Sequence, residues 1–209
     1  MSPKPHPIYT ELANRILVID GAMGTMIQSY ELGEADYRGK LFSGHDQPLM
    51  GNNDLLCLTQ PDIIFDIHRA YLRAGADLIE TNTFNANRVS MADYGMEAQV
   101  YDINVAAAQL ARKAADEIVS EQGGRPRFVV GSLGPTNKTA SLSPDVNDPG
   151  FRAIDWHELV DIYSEQARGL IDGGSDILMV ETVFDTLNCK AALFALNTVT
   201  AGHDHPIPV

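Results

Sequence analysis

"AGADLIETNTF", residues 74–84, holds a short apolar strand, Leu78–Ile79, entered from Gly-Ala-Asp and left through Glu-Thr. About a hundred residues on, "GSDILMVETVFD", residues 174–185, repeats the pattern: Gly-Ser-Asp leads in and Glu181-Thr182 leads out. A recurrence at that distance is what two units of a βα array give when one further unit lies between them. Apolar runs of strand length at 16–19, 77–81, 128–131 and 176–181 alternate with segments of helical period. In "PDIIFDIHRAYLRAGAD", Pro61 suits a first helical turn, apolar residues recur at three- and four-residue steps, and Gly75 closes the helix. The alanine-rich stretch 98–124 and the stretch 156–173 repeat that design, and a short helix is expected near 25–29. Residues 24–60 do not fit the repeat and read as an elaboration of the first βα connection.

Such an order predicts a parallel sheet covered by helices, either an open doubly wound sheet or a closed barrel. Polar residues gather at the C-terminal end of every strand: Asp20, then Glu80 to Thr83, then Ser132 with Thr136 and Asn137, then Glu181 and Thr182. That distribution favours a (βα)8 TIM-type barrel, whose loops after each strand meet on one face. Only four βα units can be counted before a fifth strand begins at Ile207, so the expected architecture is the first half of one barrel domain, residues 1–209, incomplete at its C-terminus.

Acidic residues outnumber basic ones 28 to 15, a net charge of −13, which argues against a nucleic-acid partner. No apolar stretch approaches the roughly 20 residues of a membrane span, and "MSPKPHPIYTELANR" lacks the core of a secretion signal, so a cytoplasmic location is expected. Cys57 and Cys189 lie far apart without CxxC spacing and are expected as buried thiols. His203 and His205 flank Asp204 in a spacing that could ligate metal, but they precede the fifth strand, at the end of a barrel away from catalysis.

The stretch "RILVIDGAMGTMIQ", residues 15–28, reads as a buried strand running into Asp20, with Gly21 and Gly24 leaving backbone amides open beside the carboxylate. Amides and carboxylate together could hold both ends of a zwitterion; the plainer alternatives are a tight turn and a helix cap. Glu181, at the mouth of the fourth strand, needs a cationic partner if buried, either a substrate ammonium or a structural arginine or lysine; Glu80 carries the same logic more weakly. Thr81 and Asn82, in the polar loop "ETNTFNANR", could orient a substrate or simply bond to neighbours around the mouth. A Schiff-base role for Lys138 is disfavoured, since it lies in a glycine- and proline-containing loop and not in an apolar strand.

Taken together, "VIDGAMGTMIQ", "DYRG", "GNNDLLCLTQPDII", "AGADLIETNTF", "DYGME", "GSLGPTNKT" and "GSDILMVETVFDTLN" resemble the amino-terminal homocysteine-binding barrel of the cobalamin-dependent methionine synthases. The likeness runs from about Arg15 to Leu196. Betaine–homocysteine methyltransferases share the Asp-Gly and the Glu, whereas "ETNTF" and "GPTNKT" favour the cobalamin family. The resemblance implies that Asp20, Gly21, Ala22 and Glu181 grip the amino-acid end of homocysteine. It further implies that zinc activates the thiol, that methylcobalamin on another domain gives the methyl group, and that methyltetrahydrofolate on a further domain restores it. The family's zinc cysteines, in Gly-x-Asn-Cys and Gly-Gly-Cys-Cys stretches, do not occur among these residues, so no metal ligand is expected here and the ligands are expected beyond Val209. No methyl transfer is expected from this polypeptide alone. A non-catalytic alternative is a half barrel that self-associates through its open edges.

Overall fold

A computed structural model describes residues 5–201, 203 and 207–209. Three strands, β1 (Leu78–Glu80), β2 (Phe128–Leu133) and β3 (Ile177–Val180), form a parallel sheet in the order β1-β2-β3. Leu78 lies opposite Phe128, so β1 and β2 start level, whereas Ile177 lies opposite Val130, so β3 starts further along β2. Helices α1 (Pro7–Asn14), α2 (Met23–Gln28), α3 (Glu34–Arg38) and α4 (Leu56–Thr59) precede α5 (Pro61–Ala74). After β1 come α6 (Arg88–Met91) and α7 (Val100–Gln122), and α8 (Trp156–Asp172) and α9 (Thr186–Thr200) flank β3 in sequence. Among the described residues no helix is long and apolar enough to cross a membrane.

The helices form for the reasons their sequences suggest. Pro61 occupies the first turn of α5, and Gly75 ends it at φ 112°, donating back to Leu72 and Tyr71 carbonyls. Asp155 and Glu158 close a reciprocal capping box at the start of α8. Five buried alanines along α7, from Ala107 to Ala115, and two glycines of α8 and its end let α7 and α8 approach closely. A Cβ added at Gly169 would stand 2.8 Å from the Asn104 Cβ, and one at Gly173 would stand 2.6 Å from the Ala108 Cβ.

Alternation along the strands separates two faces. Ile79, Val129, Leu133 and Leu178 face the helices and are buried in the core. Leu78, Val130, Ile177 and Met179 line the opposite face, an open apolar groove of about 450 Å³. The repeated Gly-x-Asp has one function at both sites. Asp77 accepts the Val18 N–H and pairs with Arg15 and Arg127, while Asp176 accepts the Val129 N–H and pairs with Arg112. Each aspartate thus ties the start of its own strand to the backbone of the neighbouring segment that precedes it in sequence.

The expected first strand is corrected. Residues 16–19 contribute only an isolated parallel bridge, Ile19 to Leu78, with Val18 accepting from Asp77 and Leu78 and Asp20 donating to Leu78. Nor is it buried: Ile16 is 89% and Val18 55% exposed. The segment is an edge, bonded to β1 on one side only, and its inner face opens onto the apolar groove. At the other edge, where a fifth strand is expected, the Leu178 N–H donates to the Pro208 carbonyl and Ile207 packs against the core cluster, without forming a strand. Four expected strands are therefore three strands and a bridge.

Candidate functional site

At the C-terminal ends of the strands lies a pocket of about 370 Å³. All six residues singled out in the sequence, Asp20, Gly21, Ala22, Thr81, Asn82 and Glu181, line it, and Glu80 joins them.

Asp20 follows the bridge to β1, and its Oδ1 accepts the Glu80 N–H at 3.1 Å. It does not cap a helix: α2 has Ala22 at its N-cap and no side-chain cap. Burial pushes the Asp20 carboxyl up to about 7, and the Glu80 and Glu181 charges add to the rise while backbone hydrogen bonds oppose it. Burial likewise raises Glu80 to about 7, reinforced by the Glu181 charge. Glu181 stands one residue past β3, its Oε1 accepting from the Ser132 hydroxyl. Thr182 after it has φ 51°, a left-handed conformation that β-branched residues rarely adopt and that turns the chain sharply at the pocket rim.

None of the ion pairs among the described residues includes Asp20, Glu80 or Glu181, so the arginine or lysine considered for Glu181 is not there. Among the described residues no lysine or arginine lines the pocket either. Donors come from the backbone: among the described residues the N–H groups of Gly21, Ala22, Met23 and Gly24 make no hydrogen bond. The two glycines differ. A Cβ at Gly21 would lie 3.2 Å from the Tyr71 ring and hydroxyl, whereas one at Gly24 would meet nothing nearer than 4.0 Å, so only Gly21 is tightly confined.

Thr81 and Asn82 are held by their neighbours. The Thr81 hydroxyl accepts the Ser132 N–H at 3.0 Å and bonds to the Thr83 hydroxyl, which donates to the Ser132 carbonyl. The Asn82 side chain donates to the Asn53 carbonyl and to Cys57 Sγ, leaving its oxygen as a further acceptor.

Two residues here, Gln166 and Asp54, carry no role in the sequence reading, and Ser132 enters it only as one of the polar residues at a strand end. Ser132, 1% exposed, lies between the Thr81 side and Glu181. Gln166 on α8, fully buried, donates to the Thr83 and Ser132 carbonyls and clamps both mouth loops from behind. Its signal was a glutamine on the apolar stripe of an amphipathic helix. Asp54, 4% exposed, accepts the Asn85 N–H, and burial raises it to about 6; its signal was "NND" placed directly before an apolar run.

Lys138 does not line the pocket. His203 follows α9 and is exposed, while Asp204 and His205 lie outside the described residues. Cys189 is only half-buried because it lines the open groove.

The family model for homocysteine S-methyltransferase matches residues 17–208. The chain belongs to the homocysteine S-methyltransferase family. Its fold is similar to that of the homocysteine methyltransferase MmuM from Escherichia coli. The metallated form of that enzyme is 25% identical with a TM-score of 0.69, covering 92% of this chain. The oxidised form is 25% identical with a TM-score of 0.71, covering 93%. This chain spans 62% of the length of either solved chain.

A metallated relative raises the question of a metal here, and the residues present do not fit one. Cys57 is buried against Asn82, and burial pushes its thiol far above the ordinary range, which disfavours the thiolate that a zinc ion needs. Among the described residues no group of three His, Cys, Asp or Glu could hold a metal ion.

Proposed function

We propose that residues 1–209 supply the homocysteine-binding part of a methionine synthase of the cobalamin-dependent type. The observation that carries this reading is the meeting of Asp20, Glu80 and Glu181 with the open Gly21 and Ala22 amides in one pocket that no cationic side chain lines. Three carboxyl groups in partial burial attract a cation, and the ammonium of an amino acid supplies it; the amides receive the α-carboxylate, each contact charge-assisted. Asn82 offers its oxygen as a further acceptor, and Thr81 keeps the β1 and β2 ends in register. The site is thereby an amino-acid clamp that leaves the thiol end projecting outward.

In this reading the parallel sheet is the first part of a (βα)8 barrel, and the apolar groove belongs to its interior. Zinc would supply a thiolate from the substrate thiol, but the residues described here do not fit that ion; methylcobalamin and methyltetrahydrofolate would be bound by other domains. "ETNTF" and "GPTNKT" support the cobalamin donor over a betaine donor. The exposed Ile16, Val18 and Ile19 edge supports a second reading, association of two copies through open sheet edges, which light scattering after size-exclusion chromatography tests by mass.

Isothermal titration of the 209-residue chain with L-homocysteine tests the clamp. Saturable binding that weakens at least tenfold in both Asp20→Asn and Glu181→Gln supports it. Equal affinity in wild type and both variants overturns it.

A further inference from the structure

We infer that Ser132 is a positioning residue for Glu181, fixing the carboxylate in the orientation that receives the substrate ammonium. This inference rests on the amino-acid clamp proposed above.

Ser132 belongs to β2, between the strands that carry the two outer parts of the pocket, and lies on the same face of the sheet as Val130, at the end nearer the pocket. Its hydroxyl donates to Glu181 Oε1 across a sequence separation of 49 residues. The serine is itself held at every polar atom. Its N–H is bound by Thr81 Oγ1, and its carbonyl accepts from Thr83 Oγ1 at 2.8 Å and from Gln166 Nε2 at 3.4 Å. Gln166 is fully buried on α8, so the chain of contacts runs from the helix layer through β2 to the glutamate.

The need for such a holder follows from the position of Glu181. It stands past the end of β3, its backbone tied to the sheet by one hydrogen bond to the Leu133 carbonyl, and the next residue already turns into the left-handed region. A glutamate has three rotatable side-chain bonds, and among the described residues no cation fixes this one. The Thr182 hydroxyl, 3.5 Å from Oε2, is too distant to do so. With Oε1 occupied by Ser132, Oε2 is the atom presented to a ligand. A hydrogen bond to a charged acceptor is strong enough that its loss is expected to weaken ammonium binding about tenfold.

The test titrates L-homocysteine into wild type, Ser132→Ala, Ser132→Thr, Ser132→Cys, Glu181→Gln and the Ser132→Ala/Glu181→Gln pair, with thermal unfolding followed by circular dichroism for each. Expected is about tenfold weaker binding in Ser132→Ala, recovery in Ser132→Thr, whose hydroxyl can make the same bond, and no further loss when Ser132→Ala is added to Glu181→Gln. Ser132→Cys keeps the shape with a weak donor and is expected to bind like Ser132→Ala, so it stands in if the alanine variant does not fold. Wild-type affinity in Ser132→Ala or Ser132→Cys, or additive losses in the pair, overturns the positioning role while leaving the clamp intact. Undiminished binding in Glu181→Gln, or absence of binding in wild type, overturns the clamp and the positioning role with it.

Discussion

The carboxylate of Asp20 holds the main-chain N–H of Glu80, 60 residues away, at 3.1 Å. One side chain therefore continues the hydrogen bonding between the edge segment and β1 past the Ile19 bridge, and places two carboxyl groups side by side at the pocket. The arrangement is costly to the empty protein, because both groups are part-buried and face Glu181 without a cation.

Replacing Asp20 by Asn keeps an oxygen for the Glu80 N–H and removes the charge. Thermal stability of Asp20→Asn at pH 8 is expected to exceed wild type by on the order of 1 kcal/mol, a discounted share of what the upward shift to about 7 implies. Homocysteine affinity is expected to fall in the same variant. Chemical denaturation at pH 8 checks the first part; lower stability than wild type would contradict it.

The pH dependence has a definite sign. Asp20 and Glu80 titrate near 7 in the folded protein and near 4 when unfolded, so the folded state holds the extra protons between those values. Their contribution is fully present below about pH 4 and is lost as pH rises through 7. The stability gap between Asp20→Asn and wild type is accordingly expected to widen from pH 5 to pH 8, read from denaturant midpoints at each pH.

His68 acts in the opposite direction. It is wholly buried in α5, neither ring nitrogen has a partner among the described residues, and burial lowers it to about 4. Its contribution is complete above about 6.5 and is lost as pH falls toward 4. His68→Leu, of similar volume, is expected to stabilise the chain by about 1–2 kcal/mol and to flatten the stability profile between pH 4 and 6.5. Unfolding curves across that range decide it.

Gly134 marks the exit of β2, where a Cβ would stand 2.4 Å from the Phe84 carbonyl oxygen. Backbone, not a flexible side chain, is the obstacle. Gly134→Ala is expected to destabilise by about 1–3 kcal/mol and to displace the 81–84 loop, weakening ligand binding, measurable by calorimetry.

Much of this was legible in the sequence because the signals were local and repeated. The two Gly-x-Asp…Glu-Thr runs gave the strand positions and the mouth residues, and Pro61 and Gly75 gave the bounds of α5. The edge position of residues 16–19 is not legible because an apolar run says nothing about how many neighbours a strand has; bonded to β1 on one side only, Ile16, Val18 and Ile19 stay exposed. The specific bonds of Ser132 and Gln166 are not legible in the sequence because their partners lie 49 and 83 residues away, a relation that no local period encodes. Asp20 and Glu181 each end an apolar run in the sequence, and the structure brings both to one pocket although only Glu181 follows a strand.

The most direct measurement compares L-homocysteine with N-acetyl-L-homocysteine by titration calorimetry on the same chain at pH 7.5. Acetylation removes the positive charge and leaves carboxylate and thiol in place. Binding of the free amino acid at least tenfold tighter than its acetylated form is the expected result; equal binding of the two would contradict an ammonium held by Asp20 and Glu181.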